Sequence, residues 1–366
     1  MNEENISMSI QLNSKLCESF NIRYPIVLAG MAGIANMAPL VAAVSNAGGL
    51  GTLGAAYMSP EELRDAIHEI KKRTQAPFAV NIFAHVGPDQ YTNFDAVNEE
   101  LTSIQESLGV KRRTKDEIHS PNHFEEQFGI LLDEKVPIIS TTFGLLSEHH
   151  MQRAKSLGIK IMSKVTTVEE AIQAEKRGCD VIVAQGSEAG GHRGTFDVSS
   201  QPGGANIGTM ALVPQIVDHV HIPVVAAGGI MDGRGLVASL ALGAQGVQMG
   251  TRFLTSAESG AHEVYKRALL DSTEESTVIT NAFSGRPARG IKNDFIQHWE
   301  ASRTKPLPFP TQNTLTREIR NASARQNNSE YMALWAGQGT RMLTDNQSAG
   351  DIINQIVEEA RTIIQL

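Results

Sequence analysis

Only two cysteines occur in 366 residues, Cys17 and Cys179. Two thiols build no disulfide framework and cannot alone supply a four-ligand zinc site, which fits a reducing compartment. A basic surplus is missing too: 32 Lys+Arg against 40 Asp+Glu leave a formal net charge of −8. That balance excludes the broad basic surface that nucleic acid or an anionic membrane requires. No apolar run reaches the ~18 residues expected of a bilayer span. The opening stretch Met1–Leu16 carries early acids and no basic-then-apolar leader. A soluble, cytoplasmic protein with neither nucleic-acid nor membrane partners is expected. The nucleoside-triphosphate loop G-x-x-x-x-G-K-[ST] is absent, and no clean G-x-G-x-x-G follows the first strand-like run. His149-His150 are adjacent rather than spaced i,i+4, so no metal site is expected.

What the chain does have is 41% hydrophobic residues in a regular alternation. Short apolar runs at Pro25–Gly30, Leu50–Gly54, Phe78–Phe83, Ile138–Phe143, Lys160–Val165, Val181–Gly186, Val224–Gly229 and Gly246–Thr251 read as strands. Their unbroken apolar character is that of strands covered on both faces. Between them lie amphipathic stretches with helix signals. Ser59-Pro60-Glu61-Glu62 offers a cap, a first-turn proline and acids for the dipole, and Thr167 precedes Glu170 at capping-box spacing. Gly158 and Gly178 stand where left-handed C-caps belong.

Eight strand–helix units predict an α/β fold, a (β/α)8 TIM-type barrel over residues 15–256, ahead of an open doubly wound sheet. Residues 87–128 form a polar, helix-capable insert. The segment 257–366 reads as a smaller, mainly helical cap whose last helix packs back on the barrel. Its stretch Lys305–Pro310 alternates proline and reads as a rigid connector.

Barrel chemistry collects at the carboxyl ends of the strands, and phosphate commonly sits after the seventh and eighth. Gly228-Gly229 and Gln248-Met249-Gly250-Thr251 fall at those two places. Gly228-Gly229 alone reads equally as a plain turn. Paired with the neighbouring strand end, it reads as a backbone cradle for a phosphate, helped by free N–H groups where Asp232-Gly233-Arg234 opens a helix. The sixth run ends in Gln185-Gly186-Ser187-Glu188-Ala189-Gly190-Gly191-His192-Arg193-Gly194. A loop histidine is ordinarily solvated or structural. Bracketed by glycines at the mouth, His192 is instead a candidate for proton transfer over a planar group. Gln185 offers a donor and an acceptor to a heterocycle edge. The first strand leads into Gly30 and Met31, whose backbone could approach an aromatic ring, and Asn81 in the third reads equally as reaching a cofactor or as satisfying local backbone. Lys164 reads equally as an anion partner or a surface lysine and stays outside the expected site.

Taken together, Pro25–Gly33, Asn46–Gly51, Asn81–Phe83, Gln185–Gly194, Ala226–Ile230 and Gln248–Phe253 resemble the nitronate monooxygenase family, formerly called 2-nitropropane dioxygenases. Phe283–Gly290 and Trp335–Gly339 extend the resemblance beyond the barrel. The first-strand segment reads Ala-Gly-Met-Ala where that family commonly has Pro-Met. The resemblance implies FMN held noncovalently at the mouth, contacted by Asn81, Gln185, Gly190, Gly228, Gly229, Gln248, Met249, Gly250 and Thr251. Gly30 and Met31 would lie against it through their backbone, and His192 matches the catalytic histidine. The implied activity is oxidation of a small alkyl nitronate by O2 to a carbonyl compound plus nitrite, with His192 as base or as partner of the anion. A competing expectation is an FMN-dependent enoyl-acyl-carrier-protein reductase using a nicotinamide cofactor, whose glycine–histidine loop is similar. A barrel that binds a phosphorylated ligand without catalysis is a third.

Overall fold

The computed structural model describes residues 11–365. The leader-free reading of Met1–Leu16 falls largely on residues 1–10, outside that range. Eight parallel strands form the central sheet: β1 (Ile26–Leu28), β2 (Gly51–Gly54), β3 (Phe78–Phe83), β4 (Ile138–Thr142), β5 (Lys160–Val165), β6 (Val181–Gln185), β8 (Val224–Ala227) and β9 (Gly246–Met249). They run in the order β1-β9-β8-β6-β5-β4-β3-β2. The ring closes where Leu28 N–H donates to Leu50 O at 2.8 Å and Leu50 N–H to Ile26 O at 2.9 Å. The fold is thus the expected TIM-type barrel.

Strand period two divides each strand between two cores. Val181 and Val183 of β6 point into the barrel with Val27, Ala79, Ile138, Met162 and Val225, while Ile182 and Ala184 face the outer helices. Leu16, Cys17 and Phe20 of the short helix Lys15–Phe20 join the inner cluster. The same parity carries Asn81, Thr142, Lys164, Gln185 and Gln248 to the inner face at the carboxyl ends, so polar side chains gather at the mouth.

The helix signals act much as read. Ser59 and Glu62 form a reciprocal capping box on the helix Pro60–Arg73, and Gly158 and Gly178 take φ of 74° and 93°. The box at Thr167 is only half made. Thr167 accepts from Glu170 N, but the Glu170 carboxylate turns away to Thr166 and to Phe196 N at 2.7 Å. It thereby anchors the segment after His192. Several strands end a residue or two earlier than the apolar runs do. Gly228 and Gly229, at φ 126° and 70°, leave the extended region and cannot continue the ladder.

The last helix, Ala349–Ile364, buries Ile352, Ile353, Ile356, Val357 and Ala360 against the helices Gly233–Ala241 and Ala38–Asn46. Each large aliphatic side chain buried there contributes about 1.5–3 kcal/mol. A second core joins the insert to the later chain: Phe94, Val97, Leu101 and Ile104 pack with Phe283, Phe295, Trp299 and Leu315. Among the helices of this cap lies a small antiparallel sheet that the sequence did not announce. Its strands β10 (Thr277–Thr280) and β11 (Ala288–Ile291) pair in the order β10-β11-β7, where β7 is the two-residue strand Gly191–His192. Four-residue strands lie below the length at which alternation is readable, and β7 exists only because β11 reaches it.

Candidate active site

His192 owes its position to its backbone neighbours. Its strand β7 pairs with Ala288 of β11, and Gln185, at the end of β6, bridges the loop from below. Gln185 Nε2 donates to His192 O at 2.9 Å and Oε1 accepts from Gly194 N at 2.7 Å. The Gln185 amide thus clamps the histidine loop as well as lining the cavity, a role the sequence did not suggest. Three arginines brace that loop through carbonyls alone. Arg193, fully buried, donates to Gln185 O (2.8 Å) and Gly186 O (2.7 Å). Arg289 donates to Ser187 O at 2.8 Å, and Arg286 to Thr195 O and Phe196 O.

The cavity at the carboxyl ends measures about 480 Å³, within the range of small-molecule sites. Every residue nominated from sequence lines it: Gly30, Met31, Asn81, Gln185, Gly190, His192, Gly228, Gly229, Gln248, Met249, Gly250 and Thr251. Asn81 Nδ2 donates to Ser140 Oγ and Thr142 Oγ1, so the amide presents its oxygen. A Cβ on Gly228 would stand 2.6 Å from Thr209 Oγ1, and one on Gly190 2.6 Å from the backbone of Ala336 and Gly337. These turns are closed to any larger residue.

The helix start after Gly228-Gly229 is not free for an anion, contrary to expectation. Asp232 accepts from Arg234 N and Gly235 N, and Gly233 N donates to Glu359 Oε2 at 2.9 Å. The nearby start of helix Thr209–Val217 is likewise taken by the Glu188 carboxylate. Capping carboxylates satisfy these donors internally. At this end the cavity is bordered by the turns themselves, at Gly229, Gly250 and Thr251. Thr251 Oγ1 also accepts from Gly337 N at 3.0 Å, tying the cap to this end and leaving the hydroxyl hydrogen to donate.

The opposite wall is aromatic: Tyr57, Phe83 and Trp335 line the cavity, and Phe143 and Phe309 pack against Phe83 behind it. The His192 ring lies 5.3 Å from Trp335, 5.7 Å from Phe143 and 6.5 Å from Phe309, centroid to centroid. Phe143 takes φ 68°, a conformation rare for a bulky residue, and the Arg286 guanidinium lies 4.0 Å over its ring. Sequence reasoning missed these residues. The proline-rich connector carries Phe309 to the ring cluster behind that wall, and the segments Phe283–Gly290 and Trp335–Gly339 carry Ser284, Arg286 and Trp335.

Burial first, then the charges of Arg286, Arg320 and Lys164, push the His192 imidazole down to about 3. Its ring keeps some accessible surface because one side faces the cavity. Burial and these cations thus favour the neutral imidazole, the form suited to accepting a proton. His192 Nε2 lies 2.8 Å from Ser284 Oγ. Ser284 gives its hydrogen to Arg286 O at 3.0 Å, so the bond to the ring runs from Nε2–H to Oγ and Nδ1 keeps the lone pair. Lys164, left aside in the sequence reading, lines the cavity with its ammonium pushed down to about 8, by burial chiefly and by Arg193.

A closed parallel barrel with glycine turns and a neutral, oriented histidine at its carboxyl mouth has the form of an α/β-barrel enzyme. Comparison with known proteins gives the family. The family model described as nitronate monooxygenase matches residues 13–359. A probable nitronate monooxygenase of Staphylococcus haemolyticus is 43% identical over 96% of this chain and 98% of its own length. Among solved structures, nitroalkane oxidase from Streptomyces ansochromogenes superposes with a TM-score of 0.88 at 36% identity, over 95% of this chain and 98% of that one. FabK from Thermotoga maritima gives 0.76 at 29% identity, over 97% and 98%. The chain belongs to the nitronate monooxygenase family and is an oxidoreductase.

Proposed function

We propose that this protein oxidises small alkyl nitronates with O2 to a carbonyl compound and nitrite, using noncovalently bound FMN. The observation that carries the reading is the union, in one cavity, of side-chain-free turns at Gly228-Gly229 and Gly250 with the His192 lone pair beneath an aromatic wall. The donor set suits FMN. Gly229, Gly250 and Thr251 would hold the phosphate, Gly30 and Met31 would support the ring through backbone, and Asn81, Gln185 and Gln248 would meet its polar edge. When bound, the flavin supplies the redox chemistry that no side chain of this cavity offers.

The protein's own contribution is positioning and proton transfer. His192 Nδ1 takes the carbon-bound proton when a neutral nitroalkane is offered, with Nε2 held by Ser284. Tyr57, Phe83 and Trp335 exclude water on one side. Cytoplasmic location remains part of this reading.

The test is an aerobic assay of oxygen uptake and nitrite release with a nitronate and no added nicotinamide. Stoichiometric nitrite supports the reading. Anaerobic bleaching of the flavin by a nicotinamide cofactor, with none by nitronate, would overturn it in favour of a reductase.

A further inference from the structure

An anionic substrate needs a cationic partner, and the cavity lining contains a guanidinium with an unpaired donor. Arg320 projects from the helix Thr311–Arg325 and lines the same cavity as His192. Its Nη2 donates to Asn313 O at 2.7 Å and to Asn313 Oδ1 at 3.0 Å, both uncharged acceptors. Its Nε is shielded from solvent and has no acceptor at all. A shielded guanidinium donor without a partner is costly to keep, and an anion arriving in the cavity removes that cost.

Two other charged groups near the site, Glu188 and Arg286, are committed elsewhere. Glu188 is bound by Thr209 N and Oγ1. Arg286 lies over Phe143 and donates to loop carbonyls. Lys164 rises from the floor at the end of β5, whereas Arg320 descends from the cap, the side of the aromatic wall. Tyr57, which also lines the cavity, lies within electrostatic reach of Arg320 and brings no formal charge near pH 7.

We propose that Arg320 binds the negative charge of the nitronate and thereby sets the preference for the anion over the neutral nitroalkane. The planar fork of a guanidinium matches the two oxygens of a nitronate as it matches those of a carboxylate. Asn313 holds one arm of that fork in place. The inference rests on the nitronate oxidation proposed above.

FMN-loaded wild type, Arg320→Gln and Arg320→Lys are compared with propyl-2-nitronate and 2-nitropropane as substrates. In Arg320→Gln, kcat/KM for the nitronate is expected to fall about 10- to 100-fold, mostly through KM, as for loss of a charge-assisted hydrogen bond. The value for 2-nitropropane falls much less, so the ratio of the two drops. That ratio is insensitive to partial loss of folded protein, and Arg320→Lys restores part of it. Calorimetric binding of nitrate, an inert planar anion, is measured on the same proteins and weakens in Arg320→Gln by a similar factor. An unchanged substrate ratio, or equal nitrate affinity in wild type and Arg320→Gln, overturns the proposal. Should wild type fail to consume oxygen with any nitronate, the functional reading falls, and nitrate binding alone judges Arg320.

Discussion

At the floor of the cavity the turns Gly228-Gly229 and Gly250-Thr251 meet a ligand with main chain. At the roof, Tyr57, Phe83, Trp335 and Arg320 meet it with side chains from separate parts of the sequence, backed by Phe143 and Phe309. The floor is constrained by sterics, since a single added carbon at Gly228 collides with a threonine that is itself held by Glu188 and Gly228 O. The roof is constrained by packing within the cap, which leaves room to exchange one side chain for another. Cofactor retention and substrate choice should therefore separate by mutation.

The strongest way to break that separation is His192→Asn, which lies between the two regions. It is expected to lower kcat/KM for a neutral nitroalkane about 10²- to 10⁴-fold, the usual worth of a general base, while flavin content stays near stoichiometric. Full activity in a stopped assay would remove the imidazole from the chemistry. Next in size is Gly228→Val at the floor. The φ of 126° strains a β-branched residue and its Cβ clashes with Thr209. Flavin bound per chain, read from visible absorbance, should fall about tenfold or more, in line with strain of about 1–3 kcal/mol.

Ser284→Ala tests the roof more gently. It removes the acceptor that fixes Nε2–H, and a loss of about tenfold in activity on neutral nitroalkanes is expected with unchanged flavin content. The smallest effect concerns acid stability. Folding lowers the His192 pKa from 6.5 to about 3, so between those values the unfolded chain binds the proton more readily. Stability is then fully present above about 6.5 and declines as pH falls through the window. Thermal melts of His192→Asn should decline less steeply with acid than those of wild type.

Much of this was legible because periodicity and glycine carry local information. The strand runs were visible as apolar blocks, and strand parity then dictates that Asn81, Gln185 and Gln248 share the inner face with no further knowledge. His192 stood out by its glycine neighbours. The roof was illegible for the opposite reason. Phe309 sits in a stretch that reads only as stiff, Phe143 takes a backbone angle no propensity favours, and Arg320 is one of several arginines on an amphipathic helix. Their meeting depends on the second core, which unites the insert with the cap through contacts distant in sequence. The misreading of the helix start at Asp232 was more local: the aspartate that announces the helix is itself the group that occupies its amides.

Arg193, Arg286 and Arg289 fasten the histidine turn solely through carbonyl oxygens, which every amino acid possesses. Recognition of this kind is blind to side-chain identity, so a position such as Ser187 is free to drift while the path of the turn persists. The guanidinium groups thus reinforce the strand pairing and the Gln185 clamp that position the histidine, and replacing one of those arginines should disturb it more than replacing Ser187.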